Sequence, residues 1–255
     1  FGRGTLKEVV APATQMGGQA LIVTGKNAER SAPLLDLLKT TGMQTFTFGV
    51  FGEPTIEMIL EGVQLARKKA CDIVIGIGGG SVIDAAKAIA ALLTNSGDIM
   101  DYLEVVGQGE ILTYAPAPCI AIPTTAGTGA EVTRNSVLTS MEHKVKVSMR
   151  SPMMLPDLAV VDPELTYSMP PSITASTGLD ALTQIIESYV SVKSNPLTDA
   201  ICLDGLKRAA RSLRWAFEDG SNTAAREDMA IVSLYGGLAL ANSKLGAVHG
   251  FAGPM

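Results

Sequence analysis

The chain of 255 residues is 47% hydrophobic, 18% charged and 5% aromatic, and carries a formal net charge of −5. Apolar content this high and charge this low exclude a disordered chain, and the length suffices for one large domain or two modest ones. With 20 Lys and Arg against 25 Asp and Glu there is no basic surplus, and no nucleic-acid partner is expected.

Residues 19–24 read as a short buried strand closed by Gly25-Lys26, and 31–40 have the leucine spacing of a helix. A second strand is expected over 45–50. An amphipathic helix follows over 55–69, with Ile56, Ile59, Leu60, Val63 and Leu65 on its apolar face. Residues 72–77 form a fully buried strand that runs into a glycine cluster, and 82–93 an alanine-rich helix. Two further strands are expected at 119–123 and 158–162. Strands alternating with helices of this length predict an α/β domain with a parallel sheet covered on both faces.

After Pro170-Pro171 the pattern changes. Ser172 can cap a helix running to about residue 190, and 196–217 and 224–242 are also helical in spacing. The expected division is therefore an α/β domain over 1–164 and an all-α domain over 165–255, with a cleft between them.

The three cysteines, Cys71, Cys119 and Cys202, are odd in number and widely spaced, as expected for a reduced, cytoplasmic protein and not for a disulfide scaffold or zinc ribbon. The most apolar stretch, 73–93, is broken by Asp84, Lys87 and several glycines, so it reads as a strand and helix, not a membrane span. No basic-then-apolar leader opens the chain. It starts without Met in a turn-like Phe1-Gly2-Arg3-Gly4 and stops in a Gly/Pro turn, so the sequence is expected to continue beyond both ends.

Four stretches carry chemistry. In Gly76-Ile77-Gly78-Gly79-Gly80-Ser81-Val82-Ile83-Asp84 a buried strand passes through glycines directly into a helix. Such a junction leaves unpaired N–H groups at the positive end of the helix dipole, where a pyrophosphate can sit; the plainer reading is a tight packing turn. In Pro123-Thr124-Thr125-Ala126-Gly127-Thr128-Gly129-Ala130-Glu131 a polar loop follows another strand. It can donate to a nucleotide, or Thr128 and Glu131 can form a capping box. Asp180 and Gln184, four apart, share one face of a helix, as metal ligands, substrate contacts or a simple polar pair. His249 stands alone between Val248 and Gly250, and His143 lies in a charged, solvated Glu142-His143-Lys144.

Together, GGGSVIDAAK at 78–87, PTTAGTGAEVT at 123–133, LPDLAVVDPEL at 155–165 and TGLDALTQIIESYVS at 177–191 resemble, in order, the iron-containing group III alcohol dehydrogenases of the dehydroquinate-synthase-like fold. The resemblance implies hydride transfer between a nicotinamide cofactor, NAD or NADP, and a small alcohol or carbonyl substrate, in a soluble homo-oligomer. By that resemblance Gly78, Gly79, Gly80 and Ser81 match the pyrophosphate loop, with Asp84 in the same cofactor-binding stretch. Thr124, Thr125 and Thr128 match a second cofactor loop. Lys146 matches a lysine near the nicotinamide ribose, Asp180 a first metal ligand and His249 a later one. Gln184, His249 and Lys146 are the catalytic candidates.

Three departures from the family pattern bear on the chemistry. Gln184 stands where the family usually has a histidine ligand, and an amide oxygen is a harder, weaker donor to Fe²⁺ or Zn²⁺ than imidazole. Gly253 replaces the second histidine of the usual His-x-x-x-His. The implied alternatives are a weak divalent site of Asp180, Gln184 and His249, or a metal-independent enzyme resembling maleylacetate reductase. A dinucleotide-binding protein without turnover is the reading from another class. Finally, Gly25-Lys26 stands where NAD-preferring relatives carry an acidic residue against the adenosine ribose. Its loss removes repulsion of a 2′-phosphate, and Lys26 can attract it, so NADP(H) is expected to be accepted.

Overall fold

The computed structural model describes residues 1–252. They form two compact units. One holds Thr5–Ile122 and Arg134–Val160; the other holds Phe1–Gly4, Pro123–Thr133 and the chain from Val161 onward.

The first unit is the α/β one. Its strands are β1 (Gln19–Thr24), β2 (Gln44–Gly49), β3 (Ile73–Gly78), β4 (Cys119–Pro123) and β7 (Leu158–Ala159), in the sheet order β2-β1-β3-β4-β7, with a separate hairpin of β5 (Asn135–Ser140) and β6 (Val145–Arg150). The helices are α1 (Val10–Met16), α2 (Ala32–Lys39), α3 (Ile56–Lys68), α4 (Gly80–Thr94) and α5 (Ile99–Tyr102). β1 and β3 read QALIVT and IVIGIG, and β3 is buried at every position. Continuous apolar runs of this kind, without polar alternation, belong to strands covered on both faces.

β1 runs parallel to β2 and to β3, with Thr24 level with both Gly49 and Ile77. The chain thus steps from β1 to one side, then crosses back past it to β3 on the other. That reversal makes the β1/β3 junction the topological switch point, where open α/β sheets leave a crevice beyond the strand ends. α3 buries Ile56, Ile59, Val63 and Ala66 and is capped by Thr55, whose Oγ1 accepts from the Met58 N–H at 3.2 Å. α4 lies close on β3, since a Cβ on Gly78 would sit 2.6 Å from Val82.

Three details differ from the sequence-based expectation. β7 spans only Leu158–Ala159, because Asp162 turns its carboxylate to accept from the Glu164 N–H at 3.1 Å and caps a 3-10 turn at Pro163–Thr166. The β5/β6 hairpin and α1 carried no signal strong enough to be expected. Within the hairpin β5 alternates half-buried and buried residues, and Ser136 Oγ donates to the Asp84 carbonyl at 2.8 Å, so it rests on α4. Glu142-His143-Lys144 is its exposed turn.

The second unit is helical: α6 (Pro171–Tyr189), α7 (Pro196–Glu218), α8 (Thr223–Ser243) and α9 (Ala247–Ala252). α6 opens at Pro171, not on a Ser172 cap, because proline's missing N–H costs nothing in a first turn. Asn195 caps α7 in a reciprocal box with Thr198. Ala181, Ile185, Cys202, Ala209, Met229, Val232 and Ala239 make the core of this unit.

The expected division at residue 164 left out two segments that this unit contains, 1–4 and 123–133. Gly4 N–H donates to Asp162 Oδ1 at 3.1 Å and Arg3 pairs with Glu227 at 2.9 Å. The loop 123–133 is held by backbone contact with α8. The three cysteines are buried free thiols. Among the described residues no helix is long and apolar enough to cross a membrane.

Candidate functional site

Two groups of the expected site residues lie at the strand ends of the α/β unit. Gly25 and Lys26 follow β1; Gly78 ends β3, Gly79 is the N-cap residue of α4, and Gly80 and Ser81 are its first turn. The sheet reversal brings these two stretches side by side, since Thr24 and Ile77 are register partners. Gly79 contributes its carbonyl to the Val82 and Ile83 N–H groups at 3.0 and 3.1 Å. The N–H groups ahead of them have no acceptor within the helix and, with the dipole, favour an anion. Lys26 is exposed.

Asp84 sits one turn further on. Its Oδ1 pairs with Lys87 Nζ at 2.8 Å and its Oδ2 accepts from the Val137 N–H at 3.1 Å. The Lys87 side chain is fully buried and also donates to the Asn135 carbonyl. Both Asp84 oxygens are therefore engaged in bracing the hairpin on α4; direct contact with a cofactor would require giving up one of these bonds. Lys146, on β6, is exposed and pairs with Glu53 at 3.2 Å.

In the helical unit, Thr124 is buried, Thr125 half-buried and Thr128 exposed. Thr128, the alternative N-cap residue, is not in the cap position. Gly129 caps the short 3-10 turn Ala130–Val132 with no side-chain bond, at φ 61° in the left-handed region. Glycine is required there twice over, because a Cβ on Gly129 would lie 2.5 Å from the Ser233 carbonyl and 2.6 Å from Gly237. A Cβ on Gly237 would lie 2.3 Å from the Gly129 carbonyl in turn. Loop and helix meet backbone to backbone.

α6 presents Asp180, Gln184 and Glu187 at positions i, i+4 and i+7 of one face. Gln184 is 2% exposed and its Nε2 donates to the Thr128 carbonyl at 2.9 Å. A carboxamide oxygen cannot face a carbonyl oxygen, so the nitrogen must point to the loop. The His249 ring lies between two carboxylates, with Nδ1 2.5 Å from Glu187 Oε2 and Nε2 3.3 Å from Asp180 Oδ1. The hydrogen bond to Asp180 holds its pKa above the ordinary histidine value against the opposing effect of burial, with Glu187 adding to it. Burial pushes Glu187 up, but bonds from the His249 ring and from the Val248 and His249 N–H groups bring it below the usual carboxylate range.

Glu187 was not among the expected residues. Its spacing from Asp180 and Gln184 marks the same helix face, but at the sequence level a lone Glu on α6 is indistinguishable from a surface carboxylate.

Residues 1–163 match the family model described as "Iron-containing alcohol dehydrogenase", and residues 174–255 its C-terminal counterpart, "Fe-containing alcohol dehydrogenase family, C-terminal". The chain belongs to the iron-containing alcohol dehydrogenase family. It is 39% identical over 259 aligned residues to a 1,3-propanediol dehydrogenase of Klebsiella pneumoniae, covering 99% of this chain and 66% of that protein. A crystal structure of a 1,3-propanediol oxidoreductase superposes with a TM-score of 0.92 at 37% identity, over 99% of this chain and 66% of the other. Sulfoacetaldehyde reductase from Bifidobacterium kashiwanohense, solved in complex with NAD⁺, gives a TM-score of 0.89 at 35% identity, over 98% and 66%. The chain thus spans about two thirds of the length of the relatives it matches.

The family name carries iron, and the donors for it fit only in part. Asp180 and the His249 Nε2 converge, but Gln184 is turned to the loop, and Gly253 lies outside the described residues. Among the described residues no group of three His, Cys, Asp or Glu side chains could hold a metal. They do not complete a metal site.

Proposed function

We propose that this family member interconverts a small alcohol and its aldehyde or ketone by hydride transfer to and from a nicotinamide dinucleotide. The observation that carries the reading is the glycine junction at the β1/β3 reversal, where Gly78-Gly79-Gly80 leads from β3 into α4 and Gly25-Lys26 follows the neighbouring strand β1. In that reading the Gly79–Ser81 N–H groups would hold the dinucleotide's diphosphate, and Thr124, Thr125, Thr128 and Lys146 are the further residues that would bind the cofactor. The relatives' names, a propanediol dehydrogenase and an NAD⁺-bound aldehyde reductase, support the substrate class. Oxidation would move a hydride from the carbinol carbon to nicotinamide C4 and release the hydroxyl proton; His249 on α9, its ring held between Glu187 and Asp180 and its proton affinity raised by the bond to Asp180, is the group suited to take it. Gln184, expected as a metal ligand or catalytic residue, is read instead as the residue that holds the threonine loop.

NADP(H) is accepted in this reading, because Gly25 leaves no carboxylate to repel a 2′-phosphate and Lys26 is exposed beside it. The Gln184–Thr128 bond favours, as a second reading, a metal-independent reaction like that of maleylacetate reductases. The test is nicotinamide absorbance with NADPH and NADH across a panel of short alcohols, aldehydes and ketones, with and without a chelator. Turnover of at least one substrate is the expected result. Dinucleotide binding without turnover overturns the catalytic reading, and loss of activity to chelation, restored by Fe²⁺ or Zn²⁺, overturns the metal-independent one.

A further inference from the structure

Glu187 is 6% exposed, on the face of α6 that carries Asp180 and Gln184. Its Oε1 accepts from the Val248 N–H at 2.6 Å, and its Oε2 from the His249 N–H at 3.4 Å and the His249 ring Nδ1 at 2.5 Å. Two of the three contacts are main-chain N–H donors, and a carboxylate so held offers only acceptors to the third, so Nδ1 carries the hydrogen between them. Room for it comes from Gly246, where a Cβ would lie 2.9 Å from Glu187 Oε1. The stretch leading to His249 is fastened to α6 by Ser188 Oγ, which donates to the Lys244 carbonyl at 3.4 Å, and just past the helix end by Ser191 Oγ, which donates to the Ser243 carbonyl at 2.6 Å.

A neutral imidazole has one N–H, and two carboxylates compete for it. Glu187 wins on each physical count. Its contact is 2.5 Å against 3.3 Å for Asp180, and its side chain is 8% exposed against 36%. A short, charge-assisted bond out of water is much stronger than a long one that solvent screens. Two main-chain N–H groups also keep the Glu187 carboxylate from swinging away.

We infer that Glu187 is a positioning residue that holds His249 as the Nδ1–H tautomer, leaving Nε2 as the ring atom offered to a ligand on the Asp180 side. The inference deepens the reading of His249 given above, on which its consequence for turnover rests. The tautomer itself is measured without turnover, so the two can fail separately.

The chain contains two histidines, so labelling histidine with nitrogen isotope gives two rings, told apart by the variant His143→Gln. Long-range proton–nitrogen correlation spectra are recorded on the alkaline side of the His249 titration. Wild type is expected to show His249 protonated on Nδ1. In Glu187→Gln the carboxamide keeps an oxygen for Val248 and turns an N–H toward Nδ1, so the Nε2–H form becomes dominant. Gly246→Ala crowds the carboxylate and is expected to shift the population the same way by a smaller amount; it serves where Glu187→Gln does not fold. With alcohol substrate, Glu187→Gln is expected to lower kcat on the order of tenfold while the KM for dinucleotide stays unchanged. A wild-type His249 protonated on Nε2, or folded variants that both keep the wild-type tautomer, overturns the inference.

Discussion

Gln184 donates its carboxamide N–H to the main-chain carbonyl of Thr128 at 2.9 Å, across 56 positions of sequence. A helix residue and a loop that the sequence resemblance matched to metal and cofactor binding are thereby held together. The bond is buried at the Gln184 end, and the neighbouring Gly236 leaves room for it, since a Cβ there would come within 3.1 Å of Nε2.

Removing the donor is expected to loosen that loop. Gln184→Ala should cost about 1–2 kcal/mol in denaturant unfolding, the range for a buried partner left unsatisfied. Gln184→Glu should cost more, because a carboxylate then faces a carbonyl oxygen. Hydrogen exchange of the amides in 127–132 should rise in both. Equal stability of the Glu and Ala variants would show that Nε2 does not donate to the loop.

The backbone contact between Gly129 and Gly237 predicts a second pair of effects. Gly237→Ala puts a methyl 2.3 Å from the Gly129 carbonyl, so loop and α8 must separate, at about 1–3 kcal/mol. Gly129→Ala meets the same clash and adds about 1–2 kcal/mol for a non-glycine residue at φ 61°. Chemical denaturation should rank Gly129→Ala below Gly237→Ala, and both below wild type.

Much of this fold was legible because its signals are local. The buried runs of β1, β3 and β4 and the leucine and isoleucine spacing of α2 and α3 require only periodicity. The hairpin was not legible, because NSVLTS and VKVSMR are short and half polar, and their burial depends on Asp84 and Lys87 bracing them from α4. Motif and spacing placed Gly78–Ser81 at a strand-to-helix junction and Asp180 on one helix face with Gln184, as the elements have them. The partners of Gln184 and Glu187 could not be placed so, since Thr128 and His249 lie 56 and 62 residues away. The placement of 123–133 in the helical unit rests on glycine–glycine contact, which leaves no compositional trace beyond glycine itself.

Asp228 gives a pH-dependent prediction. It is 8% exposed and accepts from Arg208 at 2.8 Å, from Arg211 through two bonds at 2.7 Å and from Ser212 at 2.5 Å. Burial raises its pKa, but the bonds from Arg211, Ser212 and Arg208 outweigh that and hold it below the ordinary aspartate value. A carboxyl depressed in the folded state contributes stability that is complete above its unfolded pKa, about 3.9. That stability is lost as pH falls through the folded pKa. Asp228→Asn should therefore be less stable than wild type at neutral pH, by about 1–3 kcal/mol. The gap should narrow only below about pH 4. Thermal melts at pH 7 and across the acid range check it; a constant gap down to full protonation would place the effect elsewhere.

The last prediction concerns cofactor choice at Gly25. A Cβ there would lie 3.8 Å from Val82 Cγ2, an ordinary contact, so the site accepts a side chain without strain. Its glycine is thus not demanded by packing, unlike Gly129 or Gly237, and in the proposed function it stands beside the adenosine ribose. Gly25→Asp should keep the wild-type melting temperature while raising the KM for NADPH by about tenfold, equivalent to about 1.4 kcal/mol of lost binding. The KM for NADH should hold or fall, since the carboxylate repels a 2′-phosphate and accepts a hydrogen bond from a 2′-hydroxyl. Lys26→Ala should weaken NADPH alone. Parallel changes for both cofactors would mean that this strand end does not meet the ribose, and a lowered melting temperature would mean that Gly25 is structural after all.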